Sequence, residues 1–414
     1  SGDPTTTEHV GKMSKPFPTA PMKETPGMKL FVEAAKKLGY HPYRMPSANL
    51  SVNYKNPDGI ERAACQYCGF CERFGCEYGA KADPCVTVLP VAQNTGKLDL
   101  RTFANVTEII HDGKKASGVR YVHMPTGEEY VQPAEVVVMA SYVFNNVRTL
   151  LLSKLGKPYD PKTQSGAVGK NYCYQVNGAS TAAYYEDKEF STFMGAGALG
   201  AVLDDFNGDN FDHTDLKFLH GANISFTQTG LRPIEYNPTP SGTPAWGAAF
   251  KQASIKYANR VLKVSAQGSC MPWRHHYLDL DPTYKDSLGR PLVRMTFDFE
   301  DQDKELVKFL AAKTKEIADQ MGATKTEMND KLSTYNIVPY QSTHNTGGTI
   351  MGSDPADSVV NSYLQMWDAE NVFVCGASVF GHNSGYNPTA TVGALSYRAA
   401  EGVLKYMQKG GSLA

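Results

Sequence analysis

A chain of 414 residues, 41% hydrophobic and 20% charged, is long enough for two or three layers of core and describes a globular protein. Its formal net charge of -1 leaves no electrostatic footprint for nucleic acid or an anionic membrane surface, which argues against both as direct partners. No uninterrupted apolar run approaches the roughly 18 residues of a membrane-spanning helix, and the first residues lack a charged segment followed by an apolar one, so membrane attachment is expected only through a partner.

Between Ser1 and about Asn53 the chain is rich in Pro, Lys, Thr and Gly. It carries one helical pattern, Met28 to Leu38, with Leu30, Phe31, Ala34, Ala35 and Leu38 at helical spacing. The segment from Ala63 to Cys85, AACQYCGFCERFGCEYGAKADPC, holds five of the eight cysteines. Cys65, Cys68, Cys71 and Cys76 form C-x2-C-x2-C-x4-C, with Cys85 nine residues on. Such spacing lets several thiolates converge on one centre, while Gly69, Gly75 and Gly79 let the backbone turn around it. A disulfide knot is disfavoured, because a long chain with its own core gains little from one and two-residue spacers strain a bridge. A zinc site usually sets one C-x2-C pair against another further along. The ferredoxin run C-x2-C-x2-C-x3-C-P is nearer in pattern, although the last gap here is four and no Pro follows Cys76. An iron–sulfur cluster is the first expectation and zinc or disulfides are the alternatives; spacing leaves open which three or four cysteines ligate.

From Leu98 to Leu155 the pattern changes to strands. LDLRTFANVTEIIHD, SGVRYVHM and EYVQPAEVVVMA alternate or run apolar, Asp112-Gly113 and Thr126-Gly127 supply turns, and Glu135 to Ala140 reads as a buried strand. A β-meander in a core explains this without a ligand. Leu150, Leu151 and Leu152 read as helix core. From Tyr172 to about Tyr340, stretches such as LKFLHGANISFTQT, LKVSAQGSCM and RPLVRMTFDF predict an antiparallel sheet, and DKELVKFLAAKTKEIADQM an amphipathic helix capped by Asp301-Gln302-Asp303. Aromatic residues are frequent here (Tyr184, Tyr185, Phe211, Phe218, Trp246, Trp273, Tyr277), and such rings floor polyol pockets with Arg or His at the rim. That singles out Trp273-Arg274-His275-His276, with sheet core plus a surface histidine pair as the plainer alternative. Arg274 could meet a substrate carboxylate by a two-point hydrogen bond. Cys173, Cys270 and Cys375 are scattered and read as buried structural thiols.

The stretch from Gln341 to Ala400 carries His344 ahead of a Gly347-Gly348 turn, a short apolar strand Val372-Phe373-Val374-Cys375-Gly376, and a Tyr386-Asn387-Pro388-Thr389 turn opening a helix. Asn387, ahead of Pro388, is expected outside the helical backbone region and in place to cap that helix. A helix N-terminus offers unpaired N–H groups and partial positive charge, so an electron-rich group is expected against Thr389, with Gly376-Ala377 bringing backbone to the same ligand. A histidine in a Gly-rich turn is more often a capping or surface residue. The paired motifs turn that balance toward acid–base chemistry, which imidazole suits by its near-neutral pKa. His382, five residues before Asn387, is a rival base.

These motifs resemble the C-terminal signature of the glucose-methanol-choline (GMC) flavoprotein oxidoreductases, in which a histidine and a second His or Asn on the following turn flank the flavin. The resemblance implies an α/β (α+β) fold and an FAD-dependent dehydrogenase. His344 would accept the proton of a substrate alcohol as hydride leaves its carbon for flavin N5, and Asn387 would hydrogen-bond the same oxygen. It further implies that Asn345, Gly376, Ala377, Pro388 and Thr389 lie against the cofactor and that Val106 matches a position whose backbone contacts the adenine of FAD. Tyr142 and Val147 replace the Gly and Pro of the family's A-x-G-x-x-x-T-P-x-L-L motif, and Val168-Gly169-Lys170-Asn171 matches its V-G-x-N turn.

The C-Q-Y-C-G-F-C-E-R-F-G-C run is most similar to the gluconate 2-dehydrogenase type within that family. By that resemblance Cys65, Cys68, Cys71 and Cys76 hold an iron–sulfur cluster, 3Fe-4S favoured, that passes electrons from FAD to a multihaem cytochrome c subunit. A small companion subunit would carry a twin-arginine signal, placing the protein in the periplasm, membrane-associated through its partner. The implied substrate is a sugar acid, sugar or polyol, with D-gluconate to 2-keto-D-gluconate as the first expectation. No G-x-G-x-x-G fingerprint for the FAD pyrophosphate occurs in the first 53 residues, so a partial GMC fold is expected, beginning after the first part of the cofactor domain. The expected divisions are a linker and helical segment at 1–60, the Cys-rich segment at 61–94, FAD-domain parts at 95–172 and 341–414, and a substrate domain at 173–340. The alternative is a catalytically silent iron–sulfur or interaction fragment.

Overall fold

The computed structural model describes residues 1–3, 9, 13–71, 74–230, 237–338 and 343–414. The expected boundary at 340/341, with Gln341 itself, lies outside the described residues, as do Glu72 and Arg73 of the cysteine run. In chain order the elements are α1 (Pro26–Lys37), β1 (Tyr43–Arg44), β2 (Tyr54–Lys55), β3 (Glu61–Arg62), α2 (Val88–Asn94), β4 (Ala104–His111), β5 (Ala116–His123), β6 (Glu128–Pro133), β7 (Val137–Met139) and α3 (Tyr142–Ser153). They continue with β8 (Ser180–Tyr184), β9 (Gly200–Leu203), β10 (Ala222–Thr227), α4 (Gly247–Tyr257), β11 (Val261–Gly268), β12 (Tyr277–Lys285), β13 (Pro291–Thr296), α5 (Asp301–Gln320), β14 (Lys325–Asn329), β15 (Val372–Val374) and α6 (Thr389–Lys409). Two compact units result. One comprises Ser1–Asp99, Asn177–Gly268 and Asp301–Leu332; the other comprises Leu100–Val176, Ser269–Glu300 and Ser333–Ala414. The segment expected as one substrate domain is therefore divided, with residues 269–300 belonging to the second unit.

The first unit is built on a six-stranded sheet in the order β1-β9-β10-β11-β8-β14, antiparallel throughout. Helix α1 begins where Pro26 presets the backbone and Thr25 Oγ1 accepts the Met28 N–H at 3.3 Å. Its buried face, Met28, Phe31, Ala34 and Ala35, lies on β9, β10 and α5. Helix α5 turns Leu306, Leu310 and Ile317 inward over β8, β11 and β14, and a 2.9 Å hydroxyl pair, Thr314 with Thr181, is buried between it and the sheet. Asp301 and Asp303 belong to the first turn of α5 instead of preceding it as a cap; acidic groups there are favoured by the partial positive charge of the helix end. Leu310→Ala is expected to destabilise the protein by about 2–5 kcal/mol, read as a shift of the denaturant midpoint, because the cavity would open in the middle of the sheet–helix interface.

The aromatic residues proposed as a pocket floor divide between core, half-buried and exposed positions. Tyr184, Tyr185 and Phe218 are buried, and Phe211 stacks on Phe309 at 5.9 Å. Trp246 stands 83% exposed on the surface.

The second unit combines the antiparallel sheet β4-β5-β6, the β12-β13 hairpin and the parallel pair β7-β15 with helices α3 and α6. Gly113 and Gly127, at φ +97° and +73°, occupy the two foreseen turns. The expected buried strand at Glu135 to Ala140 is corrected in extent: β7 covers Val137–Met139, with Val137 and Met139 buried and Val138, on the opposite face, 52% exposed. Helix α3 buries Val143, Asn146, Val147 and Leu150, and Asn146 donates to Cys375 O and Ser378 Oγ, both at 2.9 Å, fastening α3 to the end of β15. Among the described residues no helix is long and apolar enough to cross a membrane.

Candidate functional site

His344 sits in a turn whose shape is imposed by close backbone packing. Gly347 has φ +82°, and a Cβ there would collide with Asn171 O; Gly347 N donates to Ala377 O at 3.1 Å and Gly348 N to Lys170 O at 2.9 Å. The His344 turn thus locks onto the Val168 to Asn171 turn and onto the short turn after β15. Gly347→Ala is expected to cost at least ~1–3 kcal/mol from backbone strain alone, measured by thermal unfolding, with activity falling in parallel.

Gln175, fully buried, links the two C-terminal turns. Its Nε2 donates to Tyr386 O at 2.7 Å and its Oε1 meets His344 Nδ1 at 2.5 Å. Because the amide nitrogen is committed to a carbonyl, the oxygen must accept, so His344 carries its proton on Nδ1 and presents Nε2 as the lone-pair nitrogen. Asn383 Nδ2 donates to His344 O at 2.7 Å and fixes the backbone from the other side. Burial pushes the His344 pKa below the usual imidazole range, keeping the ring neutral. His382 is half-buried with Nε2 enclosed, and it is His344 that Gln175 orients.

Asn387 follows Tyr386 directly and is exposed. It does not cap α6. The capping residue is Pro388, already helical at φ -80° and ψ -9°, and it leaves the first-turn amides without a side-chain cap. Proline's ring fixes φ near the helical value, which moves the helix start one residue past the asparagine. Asn345 is buried between two phenols, accepting from Tyr172 Oη and donating to Tyr142 Oη, while Tyr142 Oη donates to Thr343 O at 3.1 Å. Tyr142 has a left-handed backbone at φ +72°. That is strained for a bulky residue, and the Asn345 contact holds it there.

The residues present fit a large electron-rich ligand such as FAD. The uncapped first turn of α6 is exposed at Thr389 and Ala390. Gly376, at φ +100°, has open space where a side chain would stand, and Val106 lies exposed on β4, an edge strand. Buried Thr346 Oγ1 and Thr349 Oγ1 have no hydrogen-bond partner among the described residues.

Trp273 to His276 forms a supported cluster. His275 and His276 share Glu300 Oε1 at 2.7 and 3.2 Å, His276 packs on Phe297, and burial together with the neighbouring His275 pushes His276 down to about 4. Arg274, expected at a substrate carboxylate, donates to Gln164 Oε1 at 2.9 Å. Cys173, Cys270 and Cys375 are buried thiols in no disulfide, and burial raises Cys375 to about 11.

In the first unit Cys65, Cys68, Cys71 and Cys76 line one cavity of about 780 Å³ with Asn49, Phe70 and Phe74, and Cys85 stands outside it. The cysteine loop is pinned by Gly69, at φ +77°, whose N–H donates to Gly195 O at 3.1 Å. Lys81 Nζ donates to Cys71 O at 2.9 Å and Phe74 O at 2.8 Å. Burial works against the Cys76 thiolate, but N–H groups of Lys81, Ala80 and Tyr78 and the Lys81 charge outweigh it and hold its pKa below the ordinary thiol range. Among the described residues no three cysteine sulfurs lie within 4.8 Å of one another. Four thiols around one cavity could hold a zinc ion or an iron–sulfur cluster.

The chain belongs to the GMC oxidoreductase family: residues 6–177 match its N-terminal model and 275–396 its C-terminal model. It is 41% identical over 405 residues to the gluconate 2-dehydrogenase flavoprotein of Pantoea cypripedii, covering 97% of this chain and 66% of that one. It is 28% identical to the 2-methyl-1,2-propanediol dehydrogenase of Mycolicibacterium austroafricanum (97% and 69% covered) and 25% identical to the fructose dehydrogenase large subunit of Gluconobacter japonicus (95% and 69%). The chain spans about two thirds of the length of these curated relatives. Pyridoxine 4-oxidase from Mesorbium loti shares the fold with a TM-score of 0.56 at 12% identity, covering 93% of this chain and 70% of that one. The mixed α/β GMC fold expected from the C-terminal motifs is thereby established.

Proposed function

We propose that the protein is the flavoprotein subunit of a dehydrogenase that oxidises a secondary alcohol of a sugar acid, sugar or polyol, with D-gluconate to 2-keto-D-gluconate as the leading substrate. The observation that carries this reading is the Gln175 bridge, which orients one histidine and ties it to the turn bearing Asn387. His344 Nε2 takes the proton of the substrate hydroxyl, and the Asn387 amide hydrogen-bonds the same oxygen and stabilises its developing charge. FAD, held by Val106 backbone, Gly376, Ala377 and the first turn of α6 from Pro388 to Thr389, supplies the hydride acceptor when bound. Asn345 fixes the wall of the site through Tyr142 and Tyr172.

Cys65, Cys68, Cys71 and Cys76 hold an iron–sulfur cluster, 3Fe-4S favoured, and a multihaem cytochrome c subunit is the onward acceptor. A small companion subunit completes the complex, which works on the periplasmic side of the membrane. Four thiols around one cavity support the cluster, and the likeness to the Pantoea flavoprotein and the Gluconobacter large subunit supports a complex with partner subunits. The test is a visible spectrum of the purified chain before and after gluconate, with iron and sulfide analysis. Flavin bands that bleach with substrate, plus iron and sulfide, are expected. Iron without flavin would make the chain a silent electron-transfer fragment, and neither would overturn both assignments.

A further inference from the structure

We propose that Asn49 is a positioning residue that sets the reduction potential of the cluster in the thiol cavity, an inference that rests on the iron–sulfur reading above. Asn49 lies outside the motif, 16 residues before Cys65 and 22 before Cys71, and its side-chain amide lies against their sulfurs. Nδ2 is 3.6 Å from Cys65 Sγ and 3.5 Å from Cys71 Sγ. A primary amide carries two N–H donors, so a single group can serve both sulfurs at once. Among the described residues Nδ2 has no other partner, and Asn49 is 2% exposed, so water does not replace these bonds.

The amide is aimed before any metal arrives. Asn49 N donates to Ser47 Oγ at 3.1 Å, and that hydroxyl in turn donates to Gly197 O at 2.7 Å. On the other side Asn49 forms a β-bridge with Lys81, Leu50 N donates to Ala80 O at 3.0 Å, and Cys65 N donates to Leu50 O at 2.9 Å. The backbone around Asn49 is therefore tied to both ends of the cysteine loop. A donor held in this way stabilises electron density on thiolate sulfur, and more so in the reduced cluster than in the oxidised one, which raises the potential. Enclosure strengthens each bond. The Tyr67 N–H, 3.4 Å from Cys65 Sγ, adds a backbone donor that no side-chain change removes. Asn49 reaches Cys71 as well, and it is the part of this arrangement that mutation can switch off.

The test uses the full chain purified without oxygen. Asn49→Leu keeps the shape and deletes the donors; Asn49→Asp keeps the size and sets a carboxylate against the sulfurs. Iron and sulfide per chain, an EPR-monitored redox titration and circular dichroism are recorded for each. Wild-type iron and sulfide content with a potential shifted negative in Asn49→Leu, and further negative in Asn49→Asp, is the expected result. An unchanged potential in a loaded variant overturns the inference. Should neither variant load, wild-type protein grown on 15N-labelled asparagine decides by pulsed EPR: a resolved 15N coupling to the cluster supports the inference and its absence overturns it. A folded wild-type chain free of iron and sulfide would instead overturn the iron–sulfur reading itself.

Discussion

His344→Ala is expected to lower turnover by about 10²–10⁴-fold, the usual share of a positioned general base, while leaving the fold and any flavin content intact. The reasoning starts at Gln175, whose amide nitrogen is committed to Tyr386 O and whose oxygen therefore holds the His344 proton on Nδ1. The other ring nitrogen is left with its lone pair, and burial keeps the ring neutral. The sign of the pH dependence follows. The neutral ring is the active form and its pKa lies below the usual histidine value, so activity is at its plateau at neutral pH and falls only as the medium is acidified through that lowered pKa. In His344→Ala this acid limb should vanish along with the rate. Steady-state oxidation of gluconate with an artificial electron acceptor across pH, with flavin measured in each preparation, provides the check. Wild-type turnover in the variant would move the role to His382.

Much of this site was legible in the sequence because its parts are local. A histidine before two glycines, an apolar strand and an Asn-Pro turn each announce themselves within a few residues, and the cysteine spacing likewise brings four thiols to one cavity. What joined these parts was not legible. Gln175 is 169 positions from His344, and its signal was only a polar residue directly after Tyr172-Cys173-Tyr174. Asn49 stood in a segment read as linker, and its role depends on a bridge to Lys81 beyond the cysteine loop. The errors were of the same kind. Asn387 looked like a cap because Ser, Thr, Asp and Asn usually are, but Pro388 took the position by its fixed φ. Of the rings expected to floor a pocket, Tyr184, Tyr185 and Phe218 went to the interior of the first unit, since large apolar side chains gain more from full burial than from lining a wet cavity. Period and propensity predict elements, whereas contacts across long separations depend on topology, which is where the sheet order β1-β9-β10-β11-β8-β14 could not be anticipated.

The cysteines offer the sharpest contrast between neighbouring substitutions. Cys71→Ser is expected to reduce iron and sulfide per chain by about ten-fold or more, since losing a ligand should exceed the ~10–100-fold in affinity that an outer-shell partner contributes. Cys71 is held from two sides: Asn49 Nδ2 lies 3.5 Å from its sulfur and Lys81 Nζ 2.9 Å from its carbonyl oxygen, so a change there removes a sulfur whose position the surrounding loop fixes. Cys85→Ser is expected to leave the metal content unchanged, because Cys85 is exposed, lies outside the cavity and is engaged locally with Asp83, which raises its pKa and keeps it a thiol. The functional consequence should separate the two halves of the reaction. With Cys71→Ser, gluconate should still bleach the flavin in a single turnover, while electron delivery to a one-electron acceptor should fall with the iron content. Equal iron in both variants would show that the four-cysteine motif is not the ligand set, and zinc in place of iron in the wild-type chain would reassign the cavity to a structural metal.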